Sequence, residues 1–84
     1  MTTQAQKDLA MVKEDGYALQ YVEEQTPEMC LIAVKKDGYA LKYVKEQTPE
    51  ICLTAVKQNG WALKFVKDLE LREKLRKQFN NLKN

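Results

Sequence analysis

Histidine and serine are both absent from the 84 residues. Together they supply the commonest general base, the commonest metal ligand and the commonest hydroxyl nucleophile. An enzyme is therefore not expected, and no cofactor or metal is either. Long apolar runs are missing too: the longest, residues 29–34, has six residues, against the roughly 20 that a bilayer-spanning helix needs. No membrane association is expected. Residues 1–8, Met-Thr-Thr-Gln-Ala-Gln-Lys-Asp, lack the basic and apolar regions of a secretion signal, which points to a cytoplasmic protein. Neighbouring carboxylates occur at Glu14-Asp15 and Glu23-Glu24. They read as solvated helix ends, not as a buried pair whose pKa values are pushed apart.

Cysteine is scarce, and the two present, Cys30 and Cys52, stand 22 residues apart. They are equivalents in successive repeats. Matching points on stacked helix pairs lie about 10 Å apart, beyond the roughly 7 Å that a disulfide allows between Cα atoms. Both are expected as buried thiols that pack as small hydrophobes.

What the chain does contain is a repeat. Gly16, Gly38 and Gly60 are spaced by 22, within Asp-Gly-Tyr-Ala-Leu-Gln-Tyr-Val, Asp-Gly-Tyr-Ala-Leu-Lys-Tyr-Val and Asn-Gly-Trp-Ala-Leu-Lys-Phe-Val. Gln-Thr-Pro-Glu-Met-Cys-Leu-Ile-Ala-Val-Lys from Gln25 recurs as Gln-Thr-Pro-Glu-Ile-Cys-Leu-Thr-Ala-Val-Lys from Gln47. A short fixed period marks stacked units, each too small to cover its own apolar face. The expected fold is all-α: a short solenoid-like stack of helix-pair repeats in a single domain. Its units lie near 4–25, 26–47 and 48–69, with a C-terminal capping helix at 70–82.

Thr26-Pro27 and Thr48-Pro49 supply an N-cap hydroxyl followed by proline at the first helical position, and Glu28 and Glu50 favour the first turn. The first helix of each pair is thus predicted over residues 27–36 and 49–58. Gly38 and Gly60 are expected to stop it in the left-handed conformation. The second helices follow over residues 17–24, 39–46 and 61–67. At 100° per residue, Ile51, Cys52, Leu53, Ala55 and Val56 cover an arc of about 200°, wide enough to be covered on two sides. Leu9, Val12, Leu19, Leu31, Val34, Leu41, Val44, Leu53, Val56, Leu63, Val66 and Leu75 are expected to be buried. A unit cut from the array is not expected to fold alone.

The ends depart from the pattern as caps should. Asp8 replaces the cysteine of later units, and Thr3 with Gln6 forms a capping box. At the other end Leu71, Leu75, Phe79 and Leu82 make a narrow stripe on an otherwise charged helix, and a break near Asp68, acting as N-cap, is expected before it.

The unit Ala-Val-Lys-x-Asp/Asn-Gly-x-Ala-Leu-x-Tyr/Phe-Val-x-x-Gln-Thr-Pro-Glu-x-Cys-Leu resembles an uncharacterised family of short tandem helical repeats found in bacterial, protist and viral proteins. The resemblance covers residues 7–66. It implies a helical scaffold of unknown function, often reiterated in longer chains, and brings no catalytic residue with it.

The aromatic rows Tyr17, Tyr39, Trp61 and Tyr21, Tyr43, Phe65 are expected in the packing between units; Trp61 is the one ring enlarged relative to its equivalents. Charge is lopsided: residues 1–32 hold two lysines against six acids, and residues 33–84 hold twelve Lys/Arg against six. Gln20 and Glu23 give way to Lys42 and Lys45, then to Lys64 and Lys67, a ladder that runs toward Arg72 and Arg76. Lys42, Lys45, Lys64, Lys67, Arg72, Arg76 and Trp61 are the candidate binding residues. The reading they support is a protein-interaction module, a monomer or weak dimer, that serves as an adaptor or a small occluding inhibitor of a larger protein. The alternative is a nucleic-acid backbone binder acting through the lysine ladder, although a net charge of +2 is modest for that class.

Overall fold

The computed structural model describes residues 3–83, with side chains through residue 79. Leu82 of the predicted stripe therefore lies outside the described side chains. Among the described residues the chain is helical with no strand, in the order α1 (Gln4–Glu14), η1 (Gly16–Tyr21), α2 (Pro27–Lys36), η2 (Gly38–Tyr43), α3 (Pro49–Gln58), η3 (Gly60–Phe65) and α4 (Leu69–Lys83), where η denotes a 3₁₀-helix. No helix is long and apolar enough to cross a membrane.

The α-helices begin where their caps dictate. The Thr26 hydroxyl accepts from the Met29 amide at 3.1 Å and that of Thr48 from the Ile51 amide at 3.2 Å, with proline next in both. Thr3 and Gln6 complete the capping box, each side chain taking the other's backbone N–H. Each hydroxyl thereby satisfies one of the donors that a helix leaves unpaired at its start.

The second elements differ from the expected helices. They are shorter, six residues each, and wound as 3₁₀ rather than α. In the middle unit the Asp37 carboxylate accepts from the Tyr39 amide at 3.0 Å, while the Ala40 amide donates to the Asp37 carbonyl and the Val44 amide to that of Leu41. Three residues per turn set every third side chain in line. Gly38, Leu41 and Val44 thus form one buried column, as Gly16, Leu19 and Val22 do.

The glycines do not stop helices in the left-handed conformation, for none has positive φ. They open the 3₁₀ turns, and two of them admit a neighbouring backbone. A methyl group on Gly16 would lie 2.6 Å from the Ala33 carbonyl oxygen and one on Gly38 2.5 Å from that of Ala55, whereas one on Gly60 would meet nothing within 4 Å.

The α-helices pack side by side in one row and the 3₁₀-helices in another, each 3₁₀-helix touching the α-helix of its own unit and of the next. Between the rows lie Val12, Leu19, Val22, Val34, Leu41, Val44, Val56 and Val66, all at most 1% exposed. Leu9, Leu31, Leu53 and Leu63 are only half-buried, contrary to expectation. In α3 the buried set is Ile51, Cys52, Ala55 and Val56, an arc of about 140° at 100° per residue, and Leu53 lies at its margin. Leu63 sits in the last 3₁₀-helix, which has no following 3₁₀-helix against it. Cys30 and Cys52 are buried free thiols. Burial raises both above the usual thiol pKa, and the charge of Asp68 adds to the rise at Cys52.

The chain breaks before α4 as predicted: the Asp68 carboxylate accepts from the amides of Glu70 and Leu71 at 3.0 and 3.2 Å. Leu75 is buried, and Leu71 and Phe79 pack half-buried against the core. This helix rests on η3 and α3.

Candidate interaction surface

The 3₁₀ periodicity puts the first aromatic of each unit in one column with the ladder residue three places on: Tyr17 with Gln20, Tyr39 with Lys42, Trp61 with Lys64. The second aromatics, Tyr21, Tyr43 and Phe65, share a column with Ala18, Ala40 and Ala62. Stacking brings the two columns together across each joint. Tyr17 meets Tyr43 edge-to-face at 6.1 Å between centroids, and Tyr39 meets Phe65 in the same way at 5.9 Å. Tyr17 and Tyr39 thus each pair with the ring 26 residues later.

Lysine ammoniums are set among these rings. Lys42 Nζ lies 5.1 Å from the Tyr43 centroid and 6.0 Å from that of Phe65; Lys64 Nζ lies 5.3 Å from Phe65 and 5.9 Å from Tyr39. The attraction of a cation for a ring face holds both ammoniums on this side of the molecule. The result is an alternating strip of rings and cations along the 3₁₀ row. At its C-terminal end stands Trp61, 73% exposed.

The remaining ladder residues face other work. Lys45 Nζ donates to the Glu23 carbonyl at 2.9 Å and Lys67 Nζ to the Val44 carbonyl at 3.5 Å, each reaching back across a joint. In the first unit the same position is Glu23. Arg72 wraps the end of the last turn, donating from Nε and a terminal nitrogen to the Val66 carbonyl at 3.0 and 2.8 Å. Arg76 pairs with Glu73 in the one ion pair found among the described residues. That hydrogen bond lowers the Glu73 pKa and raises that of Arg76. Of the seven candidate residues, the structure therefore gathers Lys42, Lys64 and Trp61 on one strip, and ties Lys45, Lys67 and Arg72 to backbone.

Gln25 and Gln47 are the residues sequence reasoning passed over. The Gln25 amide nitrogen donates to the carbonyls of Tyr43 and Leu19 at 2.7 and 3.3 Å, while its oxygen accepts from the Lys45 amide at 2.9 Å and the Cys30 thiol at 3.6 Å. Gln47 does the same one unit on, with Phe65, Leu41, Lys67 and Cys52. One side chain thus satisfies groups from two units, and the cysteine is its fourth partner. The signal was in the sequence, as the Gln that opens each Gln-Thr-Pro-Glu.

The N-terminal end has the opposite character. A groove of about 560 Å³ is lined there by Gln4, Asp8, Tyr21, Glu23 and Glu24 among others. Asp8, 6% exposed, accepts from the Gln4 side-chain amide at 2.8 Å. Tyr21, at the margin of this groove, is 72% exposed. The two end rings depart from the expectation of packed aromatics: neither has a ring packed against it among the described residues.

No curated protein and no solved structure gives a match to the chain. A family profile described as "Domain of unknown function (DUF4116)" matches residues 9–48 and again residues 26–72, the two segments overlapping as a repeated unit requires. With those matches spanning most of the sequence and every helix pair built on the same period, the chain belongs to the DUF4116 family.

Proposed function

We propose that this protein is a non-catalytic interaction module whose stacked helices present the strip of Tyr39, Lys42, Phe65 and Lys64, ending in Trp61, to an acidic surface of a protein partner. The observation that carries this reading is the exposure of Trp61, at 73%, at the end of a row in which two lysines are held over aromatic rings. An indole left in water forgoes apolar burial, and Trp and Tyr are among the residues enriched in binding hot spots. The missing histidine and serine support a role without catalysis. Such a module acts as an adaptor, or as a small inhibitor that occludes a larger protein.

Capture from an extract of the source cell tests this, with the full chain compared against the triple variant Trp61→Ala, Lys42→Gln, Lys64→Gln. The proteins retained by the full chain are expected to be lost from the variant and to survive nuclease treatment. Retention unaffected by the three substitutions contradicts the assignment of this face. Retention abolished by nuclease favours the second reading, a binder of nucleic-acid backbone, for which the alternation of rings and ammoniums also speaks. That reading requires affinity for random DNA or RNA to fall with salt at a log–log slope near −0.9 per phosphate contacted on duplex DNA.

A further inference from the structure

Trp61 and Tyr21 are the two halves of a ring pair like those inside the 3₁₀ row, and we infer that the chain assembles head to tail, Trp61 of one copy docking on Tyr21 of the next. The inference rests on the reading above that the strip ending in Trp61 is a protein contact, and it names the partner as a second copy of this chain.

The interior supplies the template. At both interior joints a ring of the first column meets, edge-to-face, a ring of the second column in the following unit, at 6.1 and 5.9 Å. Among the described residues Trp61 is a first-column ring with no second-column ring against it, and Tyr21 is a second-column ring with no first-column ring against it; they are 73% and 72% exposed. Placing Tyr21 of a following copy against Trp61 repeats the ring pairing of the interior joints, while α4 takes the place on α3 and η3 that the following unit's α-helix holds at those joints. The two rings stand at opposite ends of the 3₁₀ row and do not meet within one copy.

Charge favours the same pairing. Residues 1–32 sum to −4 and residues 33–84 to +6. Around Tyr21 the groove carries Asp8, Glu23 and Glu24; the exposed Lys64 follows Trp61 in the same column, and α4 carries the exposed Lys74 and Lys77. Because α4 occupies the tail of the α row, the joint forms along the 3₁₀ row, with the cations of α4 drawn alongside the acidic groove of the next copy. A contact of this extent falls in the small, transient class of interface, so assembly depends on concentration and weakens with salt. Being heterologous, it leaves a free Tyr21 at one end and a free Trp61 at the other, and grows into chains rather than stopping at a dimer.

Sedimentation velocity on the full chain tests this, over concentrations from about 10 μM to about 1 mM and at salt from about 0.05 to 0.5 M. The average mass is expected to climb with concentration at low salt and to return toward the 9.8 kDa monomer at high salt. Trp61→Ala and Tyr21→Ala, both at exposed positions and with unchanged circular dichroism, are each expected to stay monomeric. Mixed in equal amounts they are expected to form a species of twice the 9.8 kDa monomer mass and nothing larger, since only one intact joint can form. A full chain that stays monomeric to the highest concentration overturns the inference, as do single variants that assemble as well as the parent. A monomeric chain that still captures another protein through Trp61 overturns self-assembly while leaving the interaction module standing; a chain that assembles and captures nothing else supports the reverse.

Discussion

The second and third units carry nearly the same sequence, yet they sit in different surroundings. In the second, Gly38 lies against the Ala55 carbonyl, Leu41 is fully buried, Tyr39 has its ring partner and Gln25 and Gln47 bind the unit to its neighbours. In the third, a methyl on Gly60 would meet open space, Leu63 is half-buried and Trp61 stands in water. A motif repeated three times thus does its full work only where another unit follows. The repeated residues belong to the joint between units and not to the unit itself. This accounts for the exposed Trp61 and Tyr21 without invoking any departure from the fold.

The largest effect separating the two units is expected in the core. Leu41→Ala should cost about 2–5 kcal/mol, as deletion of a fully enclosed leucine does, whereas Leu63→Ala should cost about 1 kcal/mol. Urea unfolding of the two variants checks this, and equal losses would mean that the third unit is as well covered as the second.

Next in size is the glutamine link. Gln47→Leu leaves the Phe65 carbonyl and the Lys67 amide without their partner, for an expected loss of about 1–3 kcal/mol. Leu69, one period later, is naturally apolar and 69% exposed. Leu69→Gln is expected to change stability by less than about 0.5 kcal/mol, as thermal melts of both variants would reveal.

The smallest contrast concerns the thiols. Both are raised in the folded state, Cys30 by burial and Cys52 by burial together with the Asp68 charge. A raised pKa means that the folded chain holds its proton longer than the unfolded one. The contribution is complete below the unfolded thiol value of about 8.5 and is lost as pH rises through it toward the folded value. Stability of the parent should therefore fall faster above that pH than that of Cys30→Ala or Cys52→Ala, measured by urea midpoint across the alkaline range.

Much of this architecture was legible from the sequence because its signals are local. Thr-Pro-Glu starts a helix by itself, so the bounds of α2 and α3 follow directly, and Asp68 ends the third unit by the same capping chemistry. The 3₁₀ winding was not read because Tyr-Ala-Leu-Lys suits an α-helix by propensity. The cue lay in the spacing Gly38, Leu41, Val44, a period of three that an analysis at 100° per residue smooths over. The work of the glycines, of Gln25 and of Lys45 lay further out of reach. Each is defined by an atom at least 17 residues away, as with the Ala33 carbonyl above Gly16 and the Glu23 carbonyl at Lys45. Of the candidate site, charge and ring size single out the lysines and Trp61 as candidates, but which lysines are tied to backbone depends on the joint.

The glycine series tests the joint account most directly, because the three positions share one motif and one backbone conformation, and differ chiefly in what lies opposite. Urea unfolding of Gly16→Ala, Gly38→Ala and Gly60→Ala is predicted to give losses of about 1–3 kcal/mol or more at the first two, where the added methyl is driven into a carbonyl oxygen. At Gly60, where the methyl is free and φ is not positive, a gain of about 0.4–1 kcal/mol is predicted from the stiffer unfolded chain. Three equal losses would contradict the account, since they would place the need for glycine in the unit's own turn and not in the approach of its neighbour.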